Sequence, residues 1–215
     1  MTLLQGILRD RLFSIMLTDR FDDLAAYLEH SERSLRGARA ATQTRIGLGE
    51  IGAHLKGEPW SDDEINRAQD ELRRFDETFS QAVRCSLLQL VYANFEVCIL
   101  KTLDHYGDRL AKPRPAARGI LFKAEEYLVS CGVNYGREYW ETALHYVRVR
   151  DALVHGNGDL HNERVGLSEE TKASVEALGT VEIVGDTIVP GANAPGEFLK
   201  LTRSLCLAIA RRKDA

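Results

Sequence analysis

Between Val83 and Leu103, apolar side chains fall on nearly every side of a helical turn: Val83, Leu87, Leu90, Val91, Ala93, Phe95, Ile99 and Leu103. A helix that is apolar all round has no face to give to water, so other elements have to cover it. The spacing predicts a long helix over about 62–108 at the centre of a bundle. Its start is marked by Ser61-Asp62-Asp63-Glu64, a serine with a glutamate three residues on, which is the pattern of a capping box. Gly57-Glu58-Pro59 breaks the chain before it, and Lys112-Pro113-Arg114-Pro115 ends the unit.

The segments that would cover this helix also read as helical. Residues 3–17 predict a short amphipathic helix through Leu4, Ile7, Leu8, Phe13, Ile15 and Met16. The pattern resumes over about 20–56, and Gly47, Gly49 and Gly52 weaken its end. Residues 116–131 predict a helix with Ile120, Leu121, Ala124, Tyr127 and Leu128, stopped at Gly132. Another follows over 136–155, with Trp140, Leu144, Val147 and Val154 in a stripe, and Gly156, Asn157 and Gly158 end it. A polar stretch with a short helix from Ser168 comes next. The period then changes: Val181, Ile183, Ile188 and Val189 flank Gly185-Asp186, the mark of a small β-hairpin. The last helix, about 196–212, ends in Arg211, Arg212 and Lys213, cations that suit its macrodipole. The expected fold is mainly α, a helical bundle with a small C-terminal β-hairpin.

Charge and cysteine usage narrow the function classes. The formal net charge is -4, whereas a chain that grips long nucleic acid by itself is usually basic. Any nucleic-acid contact is therefore local, or assembled by pairing two chains. Cys85, Cys98, Cys131 and Cys206 form no C-x-x-C pair and no zinc-finger spacing; three of them lie in apolar periodic segments and read as reduced core thiols, and no metal is expected. No uncharged run approaches the roughly 18 residues of a membrane span. Arg9, Asp10 and Arg11 interrupt the apolar N-terminus, which argues against a signal peptide. The expected location is cytoplasmic, with no membrane partner.

Chemistry concentrates in Arg150-Asp151-Ala152-Leu153-Val154-His155-Gly156-Asn157-Gly158. Asp151 and His155 are four apart, so one helix face presents a carboxylate beside an imidazole. Arg150 lies five residues before His155, about 140° round the helix. Arg148 lies seven before it and almost on the same face, and the sequence leaves open which arginine works with the histidine. An imidazole near neutral pKa moves protons, and an arginine neutralises charge growing on a phosphate. RNA carries its own nucleophile, the 2′-OH, so these groups suffice to cleave it without a metal. The plainer reading of His155 is a residue that satisfies the last carbonyls of its helix. Glu96, a carboxylate in a very apolar helix, needs a partner, and Arg148 or Arg150 would supply one.

The stretch Tyr139 to Gly158 resembles the R-x(4–6)-H helix of the HEPN superfamily, including the His155-Gly156-Asn157-Gly158 end. Leu87 to Glu96 is similar to that family's aromatic-then-glutamate helix, and Arg118 to Val133 to the helix preceding the motif helix. The resemblance covers about 80–215, so the chain divides into an N-terminal helical extension over 1–75 and a HEPN-like domain over 76–215. It implies a metal-independent endoribonuclease that needs no cofactor and leaves 2′,3′-cyclic phosphate ends. His155 and Arg150 would be catalytic with Asp151, and Arg148, Glu96 and Asn157 would support them. It also implies a homodimer with a shared active-site cleft, an RNA substrate, and a role as a toxin or phage-defence effector with an antitoxin or larger defence complex as partner. The alternative is a non-catalytic HEPN-like dimerisation, regulatory or nucleotide-binding subunit. The other histidines, His30, His54, His105 and His145, read as surface or core residues. Asp104 and Asp108 read as part of a solvated face, and His161 as a residue of a polar loop.

Overall fold

The computed structural model describes residues 3–110, 124–125, 129, 136–156 and 169–210. Helix α1 runs Leu3–Leu55, α2 Asp62–Arg74 and α3 Ser80–Leu110, with a π-helical turn, Phe75–Phe79, joining the last two. Helix α4 is Arg137–Gly156 and α5 is Glu169–Leu178. Strands β1 (Val181–Val184) and β2 (Thr187–Pro190) form an antiparallel pair, and α6 is Ala194–Ala210. The fold is mainly helical with a small hairpin near its C-terminal end, as the sequence pattern predicts.

Helix α1 departs from the sequence reading. The two expected helices are one, 53 residues long. No proline falls within it, and each glycine weakens a helix interior by only about 1 kcal/mol, which packing offsets. Its first half is held by the bundle: Leu17, Phe21, Leu24 and Leu28 are buried in the same core as α3, α4 and α6. Arg203 of α6 meets Asp22 at 2.6 Å, and Arg84 of α3 meets Glu32 at 3.1 Å. Its second half is held by α2 and the π turn. Arg39 donates to both carboxylate oxygens of Asp76, at 2.7 and 2.9 Å, Arg45 pairs with Glu71, and the Trp60 ring lies against Gly49.

The expected helix over 62–108 begins where the capping box places it. The Ser61 backbone N–H donates to the Glu64 carboxylate at 2.8 Å, and α2 opens at Asp62. The helix is not uniform, because the π turn at Phe75–Phe79 widens one turn between the polar α2 and the apolar α3. Nor is α3 covered all round. It packs most extensively on α6 and buries Leu87, Leu88, Val91, Phe95, Cys98, Ile99 and Thr102, while Leu90, Ala93 and Leu100 on the other side stay exposed. Asp62–Thr102 is long and apolar enough, by length and composition, to cross a membrane. Here its inner stripe is buried against the other helices.

An aromatic cluster fixes α4 against the bundle. Trp140 and Phe198 each meet Phe95 edge-on, with centroids 5.9 and 6.3 Å away, and Tyr146 stacks on Phe198 at 4.6 Å. The Tyr146 hydroxyl hydrogen-bonds Thr180 Oγ1 at 2.9 Å, which ties α4 to the residue before β1. Within the hairpin, Ile183 faces Ile188 across a turn in which Gly185 has φ +61°, a left-handed conformation that favours glycine. Cys98 and Cys206 are buried free thiols, as expected, and Cys85 is a half-buried one. Burial pushes the Cys206 thiol well up. The expected helix over 116–131, its stop at Gly132, Cys131 and the terminal cations Arg211, Arg212 and Lys213 lie largely or wholly outside the described residues.

Candidate active site

Helix α4 carries the arginine–histidine stretch, and its buried stripe determines where those side chains point. Ala143, Leu144, Val147, Val149, Ala152 and Leu153 are buried, which leaves Arg148, Arg150 and Asp151 half-buried and His155 exposed in the last turn. Asn157, the remaining supporting candidate, lies outside the described residues, as do Gly158 and His161.

Arg150 reaches toward α3. Its Cζ sits 4.3 Å from the centroid of the Tyr92 ring, and its Nη1 donates to Asp151 Oδ1 at 2.7 Å. Among the described residues its buried Nε has no hydrogen-bond partner. The guanidinium is therefore held between the Tyr92 π-face and the Asp151 carboxylate. Sequence spacing sets the Asp151 carboxylate beside the imidazole, and in the structure that carboxylate accepts a hydrogen bond from Arg150.

Glu96 lies one helical turn beyond Tyr92 on α3 and is half-buried. Among the described residues no hydrogen bond or ion pair joins it to Arg148 or Arg150, so the expected carboxylate–arginine contact is not formed. Its charge is felt by Tyr92 instead. Burial first, then the Glu96 and Asp151 carboxylates, push the Tyr92 phenol up, while Arg150 opposes them. Tyr92 is the residue at which the influence of Arg150, Asp151 and Glu96 meets, and sequence reasoning assigned it no role. The available signal was its i, i+4 spacing from Glu96 in the helix expected to pack on the motif helix.

Arg148 lies on the other side of α4. Burial and the Arg148 charge together lower the His145 pKa, and His145 Nδ1 is 3.0 Å from Ser174 Oγ on α5. Arg148, Asp151 and His155 recur at intervals of three and four and so share one helix face, from which Arg150 is turned away. His105 is buried: its ring stacks on Phe13 at 4.2 Å and Nε2 lies 2.7 Å from Asp10 Oδ1, which joins the ends of α1 and α3. Among the described residues no group of three histidine, cysteine or carboxylate side chains is placed to hold a metal ion.

In chemical terms α4 offers an exposed imidazole at its end and, about one turn before it, an arginine–carboxylate pair braced on a tyrosine ring. Such a pair stabilises an anion at a fixed position, and the imidazole moves a proton. No protein-family model matches the chain, and neither the characterised proteins nor the solved structures include a significant match.

Proposed function

We propose that this protein is a HEPN-type, metal-independent endoribonuclease that acts in the cytoplasm as a toxin or phage-defence effector. The observation that carries the reading is the end of α4, where an exposed histidine follows, at R-x4-H spacing, an arginine held by Asp151 and the Tyr92 ring. The 2′-OH attacks the adjacent phosphorus as its proton is removed. The 5′-oxygen leaves with a proton, and a 2′,3′-cyclic phosphate remains. His155 serves one of these proton transfers, and Arg150 neutralises the phosphate oxygens, with Arg148 as the other candidate for that part. A single helix supplies one such histidine, so the acid and base pair comes from a homodimer whose two α4 helices share a cleft. An antitoxin or a larger defence complex would restrain the activity.

The test is cleavage of a labelled structured RNA by the purified protein in excess EDTA, with wild type, His155→Ala, Arg150→Ala and Arg148→Ala side by side. The reading expects cyclic-phosphate ends from wild type, none from His155→Ala, and a loss of at least about 100-fold from the arginine that contacts phosphate. Equal cleavage by wild type and His155→Ala would remove His155 from the mechanism.

One observation favours a second reading. Arg150 is already engaged by Asp151 and the Tyr92 ring, and only 23% of its side chain is exposed. A non-catalytic HEPN-like dimerisation, regulatory or nucleotide-binding subunit would use the same contacts as bundle packing. It predicts no cleavage by any variant, together with a loss of thermal stability in Arg150→Ala larger than in Arg148→Ala.

A further inference from the structure

The two-helix arm made by α2 and the second half of α1 ends in a preformed hollow. Gly57, at φ +75°, closes α1: the Gly57 and Glu58 N–H groups donate to the His54 and Ala53 carbonyls, both at 3.0 Å, which is the Schellman arrangement. Pro59 follows, and the Ser61–Glu64 capping box opens α2 directly after Trp60. Both helix ends are satisfied by their own caps, so the connection between them is fixed. It encloses a hollow of about 500 Å³ walled by Ile51, Leu55, Pro59, Trp60 and Ile65, and Glu50 and His54 line it as well. Leu55 is 82% and Ile51 58% exposed. No residue from 36 to 79 is buried, so these walls are not the edge of a hydrophobic core. Trp60 also borders a more polar hollow, where Arg45 and Glu71 neutralise each other.

We propose that this hollow docks a protein partner through a segment in which a bulky apolar side chain is flanked by lysine or arginine. Charge identifies the occupant. From residue 50 to 64 the chain carries five acidic side chains, Glu50, Glu58, Asp62, Asp63 and Glu64, against one basic side chain, Lys56. Glu64 is taken up by the Ser61 cap, but among the described residues Glu50, Glu58, Asp62 and Asp63 form no ion pair. Farther along the arm the acids are matched: Asp70 by Arg73, Glu71 by Arg45 and Asp76 by Arg39. The arm's unmatched negative charge therefore sits where its apolar walls lie open. A cation entering beside an apolar side chain meets the Glu50 carboxylate and the Trp60 indole in the same hollow. The same charge repels an anionic partner such as RNA, and it sets two copies of the tip against each other. Small ligands are commonly buried to about 70–90%, which a hollow this open does not offer. A protein segment needs less enclosure, because the rest of its own chain covers the open side. The hollow also lies about 30 Å along α1 from Leu35, the last side chain of that helix buried in the bundle, where a large partner can reach it. Its fixed walls keep the ordering cost of docking low.

Two short tryptophan-free peptides test this on the full chain, one built of leucine and lysine and the other of leucine and glutamate. Binding is read by anisotropy of the labelled peptide and by Trp60 emission, since the other tryptophan, Trp140, is fully buried. The leucine–lysine peptide is expected to bind and shift the Trp60 emission, and the leucine–glutamate peptide to do neither. Glu50→Lys should weaken the first at least about tenfold and admit the second, an exchange that misfolding cannot imitate. Glu77→Lys makes the same change in net charge on the π turn, outside the hollow, and should leave both titrations unchanged. Ile51→Ala with Leu55→Ala should release the peptide while helix content by circular dichroism is kept, because both side chains are exposed. No binding by wild type, or equal binding of the two peptides, overturns the proposal. So do equal effects of Glu50→Lys and Glu77→Lys, since the peptide then follows overall charge. Self-association of wild type that the Ile51/Leu55 pair abolishes overturns it too, by giving the hollow to a second copy. None of these readouts involves RNA, so the result is independent of the nuclease reading.

Discussion

The half-buried guanidinium of Arg150 depends on groups that sequence spacing hardly reveals. A cation over an aromatic face contributes about 0.5–2 kcal/mol, more when water is excluded. Tyr92→Leu is therefore expected to lower unfolding free energy by about 1 kcal/mol in chemical denaturation. Tyr92→Phe, which keeps the ring, should cost clearly less, and equal losses would show that the π-face contributes nothing. A second residue-scale prediction concerns His145, whose folded pKa lies below its unfolded value of about 6.5 chiefly through burial. The unfolded chain then binds the proton more readily, so this contribution to stability is present above about pH 6.5 and is lost as pH falls below it. Melting temperature should decline through that window, and His145→Gln, which retains a polar partner for Ser174, should flatten the decline. The arginine–histidine pair itself was legible as a motif. Tyr92 was not singled out, because an aromatic in an apolar helix reads first as core, and only the packing of α3 on α4 brings it under Arg150.

At the scale of elements, local signals were readable and cooperative ones were not. The capping box at Ser61, the hairpin around Gly185-Asp186 and the extent of α4 each follow from a few adjacent residues with a single physical meaning. The continuity of α1 does not, because glycines at 47, 49 and 52 suggest an ending that packing against α2 overrides. The π turn between α2 and α3 also has no mark in the sequence, and the apolar character of α3 overstated its burial, since a helix at the edge of a bundle keeps one side open. Substitution separates the glycines. Gly47→Ala, with open space at its Cβ, should stabilise the monomer by about 0.5–1 kcal/mol. Gly49→Ala should lose that gain, because its Cβ would fall 2.8 Å from the Trp60 ring. Gly185→Val should cost about 1–2 kcal/mol, since valine resists the left-handed φ of the hairpin turn. Urea unfolding of the three variants ranks them, and a stabilised Gly49→Ala would show that Trp60 moves freely.

For the whole molecule, the net charge of -4 restricts how RNA is held. If contact is confined to the end of α4, few phosphates are neutralised. The affinity of His155→Ala for single-stranded RNA, measured by anisotropy against salt, should then fall with a log–log slope of about -1 to -3. A slope steeper than about -5 would mean a broad basic surface that the composition does not suggest. The length of α1 has a mechanical consequence as well. At 53 residues it is a rod about 80 Å long, clamped by Phe21 and Leu28 at one end and reaching far past the clamp at the other. It works as a lever whose fulcrum lies near Leu35, the last side chain of α1 buried in the fold. A sideways push of about 3 Å near Trp60 tilts the clamped segment by about 6°, over the roughly 30 Å between Leu35 and Leu55. That tilt bears on the seam between α1 and α6 and on the Asp10–His105 contact at the helix's other end. Whatever sits on the arm therefore applies torque to the bundle at a distance, without touching it.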